Sequence, residues 1–231
     1  MAETVLAAQL YTVREFTKTP ADIAATLKKV AEIGYRAVQL SALGEMEPQE
    51  LRRVCDGEGL AICATHTSYQ KMRDEPQAVI DLHNTYGCTT AGIGGLPQDY
   101  RGSAEGYARF AREASGVARK LAQGGIRFVY HNHNFELERF GDRTGLDILY
   151  QESDPEVFLS EIDTYWVQAG GGCPAAWVRK LAGRAPCLHL KDMAVHDRQP
   201  IMAEVGEGNL DWPGILDAAR QAGTEWYIVE Q

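Results

Sequence analysis

No stretch of this chain approaches the run of about 18 apolar residues that a membrane span requires, so no membrane partner is expected. Nor is there a disulfide framework. The cysteines, Cys55, Cys63, Cys88, Cys173 and Cys187, are odd in number and contain no C-x-x-C pair. That usage favours a reducing, cytoplasmic setting. The opening MAETVLAAQLYTVREF has no basic segment followed by a long apolar one, so no signal peptide is expected. No basic run occurs either. With 23 Lys+Arg against 32 Asp+Glu the net charge is -9, which repels a phosphate backbone and argues against nucleic acid as a partner. Finally, no G-x-G-x-x-G follows the first strand-like run, where AAQLYTVRE stands instead. That argues against a dinucleotide-binding fold.

What is present is regular. The 231 residues are 45% hydrophobic and 24% charged, with no linker or low-complexity segment, which suits a single domain over 1–231. Short apolar, β-branched or aromatic runs predict strands at 5–10, 37–40, 61–65, 90–93, 126–130, 157–162, 187–190 and 227–230. Amphipathic stretches predict helices at 21–33, 48–58, 76–86, 104–122, 146–151, 174–182 and 212–222. Several open near a proline and close on a glycine. The last shows the pattern in full: Asp211 as N-cap, Pro213 in the first turn and Gly223 as the stop. Strict alternation of strand and helix implies parallel neighbours joined by crossovers. Eight such strands favour an α/β fold of the closed (β/α)8 TIM-barrel type. The sequence ends at Gln231, directly after the eighth strand. A barrel lacking its last helix is therefore expected, with an uncovered flank that would favour a homodimer.

In such a barrel, chemistry sits at the C-terminal ends of the strands. The polar residues found there form a selective set: His66 after the third strand; His131, His133 and Glu136 after the fifth; Asp163 after the sixth; His189, Lys191 and Asp192 at the seventh; Glu230 at the eighth. Residues two apart share a face, so His131 and His133 can both point into the mouth, as can His189 and Lys191. Glu161 shares a face with Asp163 but lies deeper, where a carboxylate needs a partner. Carboxylates with imidazoles suit one divalent metal ion, Mn, Mg, Co or Zn, in an open site. The plainer alternative is that strand ends are polar because they are wet.

At these residues the chain resembles the sugar phosphate isomerase/epimerase family, the xylose-isomerase-like TIM barrels. The resemblance runs through LAAQLYTVRE, VYHNHNFELE, EIDTYWVQAGG, CLHLKDM, VGEGNLDWPGIL and WYIVEQ. It implies a metal held by Asp163, His189 and Glu230, with a strand-five ligand for which Glu136 is expected, because His131 stands where many relatives carry glutamate, and for which His131 or His133 is the alternative. It further implies proton transfer α to a metal-polarised carbonyl. Glu230, with Glu136 or His133, is the expected catalytic group, and His66, His131 and Lys191 are expected to bind a small sugar substrate. The implied activity is isomerisation or epimerisation of a small, non-phosphorylated sugar or keto-sugar. A lyase or dehydratase acting on a keto-sugar, keto-glycoside or inosose would share the same intermediate. A non-catalytic carbohydrate-binding barrel is the reading outside enzymology. The loop VGEGNLDWPG at 205–214 invites comparison with a phosphate site, but Glu204, Glu207 and Asp211 crowd it with negative charge. Tyr165 and Trp166 are expected either to wall the sugar or to pack in the core.

Overall fold

A computed structural model describes residues 5–231; residues 1–4, the first part of the stretch read above for a leader, lie outside it. Eight parallel strands close into one barrel. They are β1 (Val5–Gln9), β2 (Ala37–Leu40), β3 (Ala61–His66), β4 (Thr90–Ile93), β5 (Arg127–His131), β6 (Phe158–Asp163), β7 (Cys187–Leu190) and β8 (Trp226–Val229). Each pairs with its sequence neighbours, and β1 closes on β8 with Val5 opposite Trp226 through Ala8 opposite Val229. The barrel expected from the alternation is the barrel observed.

The crossovers are helical: α1 (Pro20–Ile33), α2 (Pro48–Gly57), α3 (Tyr69–Asp74), α4 (Pro76–Tyr86), α5 (Ala104–Gln123), α6 (Gly145–Glu152), α7 (Thr164–Ala169), α8 (Pro174–Lys180) and α9 (Trp212–Ala222). Their ends follow the sequence signals. Thr19 and Asp22 form a capping box at α1, and Thr144 and Asp147 another at α6. Asp211 caps α9, and Gly223 ends it at φ +80°. None of these helices is long and apolar enough to cross a membrane.

Between sheet and helices lies an aromatic layer. Phe110, Phe128, Tyr130 and Phe158 are fully buried there, with the Phe128 and Phe158 rings 5.2 Å apart. Inside the barrel, space allows only smaller side chains: Ala7, Ala37, Cys63, Ala64, Val129, Cys187 and Ile228. The two-residue period of a strand then dictates the next layer up. Ala7 is followed by Gln9, Ala37 by Gln39, Val129 by His131, Cys187 by His189 and Ile228 by Glu230. An apolar floor thus carries a buried polar storey, and that storey is the base of the site.

Two hairpins were not expected from the sequence. A short one pairs Arg139–Phe140 with Arg143–Thr144, and a longer one pairs Asp192–His196 with Gln199–Ala203 beyond β7.

Candidate active site at the barrel mouth

His131, Asp163, His189 and Glu230 come together at the C-terminal ends of β5 to β8. Each offers a ligand-type atom, and these atoms all lie within 4.8 Å of one another. All four residues are buried. Asp163 Oδ2 and His189 Nδ1 have no hydrogen-bond partner, and neither does His131 Nδ1, which lies 3.8 Å from Glu161 Oε2. Buried polar atoms are nearly always satisfied, so orphans gathered in one cluster are unusual. His189 Nδ1 stands 2.7 Å from Glu230 Oε2 and 3.9 Å from Asp163 Oδ2, and the first contact lacks hydrogen-bond alignment. Donor atoms crowded together in this way suit a shared cation. The donor set of two imidazoles and two carboxylates suits a divalent ion such as Mn²⁺, Co²⁺ or Zn²⁺.

The electrostatics agree. Burial and the neighbouring Glu230 carboxylate push Asp163 up to about 7, because two carboxylates in one dry site cannot both ionise cheaply. Burial opposes protonation of His189, yet Glu161 and Glu230 outweigh it and raise the imidazole to about 10. Glu230 is held well below the usual carboxylate range: burial would raise it, but His189, His131 and Lys191 override that. In this arrangement His189 and Lys191 supply the positive charge the carboxylates demand.

A second tier fixes the first. His189 Nε2 lies 2.7 Å from Gln39 Oε1, which also accepts from Gln9 Nε2 at 2.8 Å. With Nε2–H directed at that amide oxygen, Nδ1 is the nitrogen that would release its proton to become a ligand. Gln39 Nε2 donates to Glu161 Oε1 at 2.7 Å, and His66 Nε2 lies 2.6 Å from Glu161 Oε2. Burial alone would raise Glu161, but His189 and His66 beside it hold it well below the usual range. The partner Glu161 needs is therefore this pair of imidazoles together with Gln39. Gln9, Gln39 and Glu161 were not anticipated as site residues. The available signal was a glutamine at the same depth of two successive apolar strands.

Above the cluster is a cavity of about 450 Å³ lined by His66, His131, His133, Trp166, Lys191 and Glu230, and at its rim by Tyr11, Arg14 and Met202. The volume falls in the range of small-molecule sites. Lys191 Nζ donates to Glu230 Oε1 at 3.0 Å rather than to Asp192. The His133 ring stacks on Phe135, with centroids 5.6 Å apart, and sits 5.2 Å from Trp166. Burial lowers His133 to about 4, so it is neutral at pH 7. Trp166 walls the cavity, whereas Tyr165 is buried behind it. Gly94 lines it too: a Cβ there would lie 3.2 Å from His66 Nδ1, and one at the adjacent Gly95 would lie 3.1 Å from His133.

Glu136 is not brought to the cluster, which corrects the expected strand-five ligand and proton carrier. Parity is the reason. Tyr130 points outward into the helix layer, whereas His131 points inward. Glu136 folds back onto the outer side, where Oε1 accepts from Tyr130 Oη at 2.6 Å and Oε2 from the His133 N–H at 2.9 Å. Burial pushes this carboxyl up from 4.5 to about 7 despite those donors. A carboxyl raised on folding stabilises fully below its unfolded value, and that contribution is lost as pH rises through the folded value. The gap from 4.5 to about 7 is worth roughly 3 kcal/mol. Urea midpoints of Glu136→Gln and the native chain, measured from pH 4.5 to 8, should therefore diverge, the variant losing less stability over that interval. Parallel curves would rule out a buried neutral Glu136.

The loop at 205–214 also resolves. Its amides at Gly206, Gly208 and Leu210 donate to Asp192, at 2.9, 3.1 and 3.3 Å. The anion these glycines hold is the chain's own carboxylate.

Residues 27–231 match the family model described as xylose isomerase-like TIM barrel. Among solved structures, a sugar phosphate isomerase/epimerase from Parabacteroides distasonis ATCC 8503 aligns over 100% of this chain and 87% of its own, with TM-score 0.81 and 20% identity. D-psicose 3-epimerase from Clostridium cellulolyticum H10, solved with D-tagatose, aligns over 98% and 84%, with TM-score 0.73 and 13% identity. A protein named as the probable 3-DHS dehydratase of Bacillus anthracis aligns over 99% and 93%, with TM-score 0.72 and 14% identity. At such identities the likeness is one of fold. No curated protein matches the chain by sequence.

Proposed function

The chain belongs to the xylose isomerase-like TIM barrel family, and on that premise we propose that it is a divalent-metal-dependent isomerase or epimerase of a small sugar or keto-sugar. One observation carries the reading: ligand-type atoms of the buried His131, Asp163, His189 and Glu230 lie within 4.8 Å of one another at the floor of a sugar-sized cavity, and Asp163 Oδ2 and His189 Nδ1 have no hydrogen-bond partner. These four residues would hold the ion, with His131 in the place the sequence suggested for Glu136. A bound divalent ion supplies the positive charge that polarises a carbonyl and favours loss of the adjacent proton.

The chain's own groups divide the remaining work. His66 faces the cavity, and its Nε2–H is directed at the Glu161 carboxylate. That leaves Nδ1 with a lone pair, and a carboxylate-backed imidazole suits proton transfer. Lys191 pins Glu230 and sits 5.5 Å from the Trp166 ring, placing a cation where a hydroxyl or developing oxyanion would lie. Trp166 and His133 offer flat surfaces for a sugar face and exclude water. The protein would work as one domain over 1–231 in the cytoplasm, in keeping with five free cysteines.

The test is a panel of ketoses and aldoses supplied with Mn²⁺, Mg²⁺, Co²⁺ or Zn²⁺ in turn, with the products identified. A rearranged or epimerised sugar is expected. Loss of water from a keto-sugar instead would make the enzyme a dehydratase. A metal-replete protein that holds no ion would overturn the site.

A further inference from the structure

The cavity has a charge asymmetry that the cluster at its floor does not explain. Its inner cation, Lys191, is neutralised by Glu230 at 3.0 Å. Its outer cation is Arg14, on the turn of 3-10 helix Leu10–Phe16 that follows β1. Among the described residues no carboxylate lies within ion-pair distance of Arg14; the adjacent Glu15 pairs with Lys18 at 3.5 Å instead. Arg14 is nonetheless held in place. Nη1 donates to the Tyr11 carbonyl at 2.8 Å, and the guanidinium carbon lies over the Tyr11 ring at 4.3 Å from its centre. A guanidinium has five N–H donors, so most of this fork is unspent, and it lines the same cavity as Glu230 and Lys191.

A fixed, unspent guanidinium recognises a planar anion in bidentate fashion. A phosphate dianion is more commonly gathered by several backbone amides at a glycine-rich turn or helix N-terminus. The glycine-rich turn beside this mouth, with the amides of Gly206, Gly208 and Leu210, is already filled by Asp192. We propose that the substrate is a sugar acid, whose carbonyl end lies over the buried cluster and whose terminal carboxylate is bound by Arg14. The choice of which end reacts rests on the isomerase/epimerase reading; the anion contact does not.

Three probes share one carbon skeleton and differ only at C6: D-fructose, D-fructuronate and D-fructose 6-phosphate. Their binding to the metal-supplemented full chain and to its Arg14→Gln and Arg14→Lys variants is measured by calorimetry, and their turnover is followed in parallel. Fructuronate should bind the native chain about tenfold or more tightly than fructose, as a charge-assisted bidentate contact warrants. In Arg14→Gln the fructose-to-fructuronate ratio of Kd should collapse towards one, with Arg14→Lys restoring part of it. A native preference for fructose, or a ratio unchanged in Arg14→Gln, would overturn the proposal. Tighter binding of fructose 6-phosphate than of fructuronate would replace the carboxylate by a phosphate and overturn it as stated. Arg14-dependent binding of fructuronate with none of the three rearranged would leave the anion site standing and count against the isomerase reading. Rearrangement with no dependence on Arg14 would do the reverse.

Discussion

Asp163→Asn and Glu230→Gln should each strip the protein of its divalent ion and lower sugar turnover by about a thousandfold or more, the scale on which removing a principal electrostatic stabiliser acts. Asp163→Asn is the cleaner of the two. The aspartate also caps α7, its Oδ1 accepting from the Trp166 N–H at 2.8 Å, and asparagine caps about as well. The fold is thus spared while the partnerless Oδ2 is replaced by an amide. Gln39→Leu tests the tier behind: without the acceptor that orients His189 Nε2, metal affinity should fall by roughly 10- to 100-fold rather than vanish. The pH dependence follows from the same site. Asp163, pushed up to about 7, and His189, raised to about 10, must both give up protons to act as ligands. Metal uptake should therefore release protons and strengthen from pH 6 to 8. Metal analysis after gel filtration, with titrations in buffers of different ionisation enthalpy, measures all three effects. Full metal content in both carboxylate variants would show that the cluster is not the binding site.

How far the sequence disclosed this site depended on parity. Asp163, His189 and Glu230 could be placed at the barrel mouth because each lies at or near the end of an apolar run on the inward-facing register, and β-strand period fixes that register once any residue is placed. Glu136 was misplaced because nearness in sequence stood in for parity: it lies beyond the strand, where a turn of 3-10 helix at Phe135–Leu137 sends it back under Tyr130. Gln9 and Gln39 escaped notice, and the partners of Glu161 stayed hidden, for a different reason. The two glutamines are lone polar residues in apolar strands, and only barrel closure brings them and Glu161 within hydrogen-bond reach across 30 and 122 residues. The hairpin beyond β7 was illegible for local reasons. Its turn places Asp197 and Arg198 at φ 47° and 65°, a conformation normally announced by Asn-Gly or Asp-Gly. Nothing in Asp-Arg signals it.

That hairpin and the loop after it depend on one carboxylate, and removing it should be the largest stability loss of any single exchange outside the core. Asp192 is fully buried and accepts from five donors: the N–H groups of Met193, Gly206, Gly208 and Leu210, and Trp212 Nε1. Burial works to raise its pKa, but the Trp212 and backbone donors prevail and hold it below the usual value of 3.8. A carboxyl depressed on folding stabilises above its unfolded value, and the contribution disappears as pH falls through the folded one. Asp192→Ala removes the charge and leaves those donors to water or to nothing. Since each bond to a charged acceptor is worth about 1.5–3 kcal/mol and loop relaxation recovers much of the sum, a net loss of about 4 kcal/mol is expected at pH 7. In a chain of this size that lowers Tm by about 10 °C. The loss should shrink as pH falls below about 4, where the unfolded carboxyl takes up a proton while the folded one, held lower, still resists it. Asp192→Asn, which keeps one acceptor oxygen, should fall between the two. Backbone exchange should rise first at 204–210, and sugar affinity should weaken with it, because Met202 on the hairpin walls the cavity. Equal Tm values for the native chain and Asp192→Ala would mean that hairpin pairing alone holds the loop, and Asp192 would then be a passenger in a turn that glycine geometry had already set.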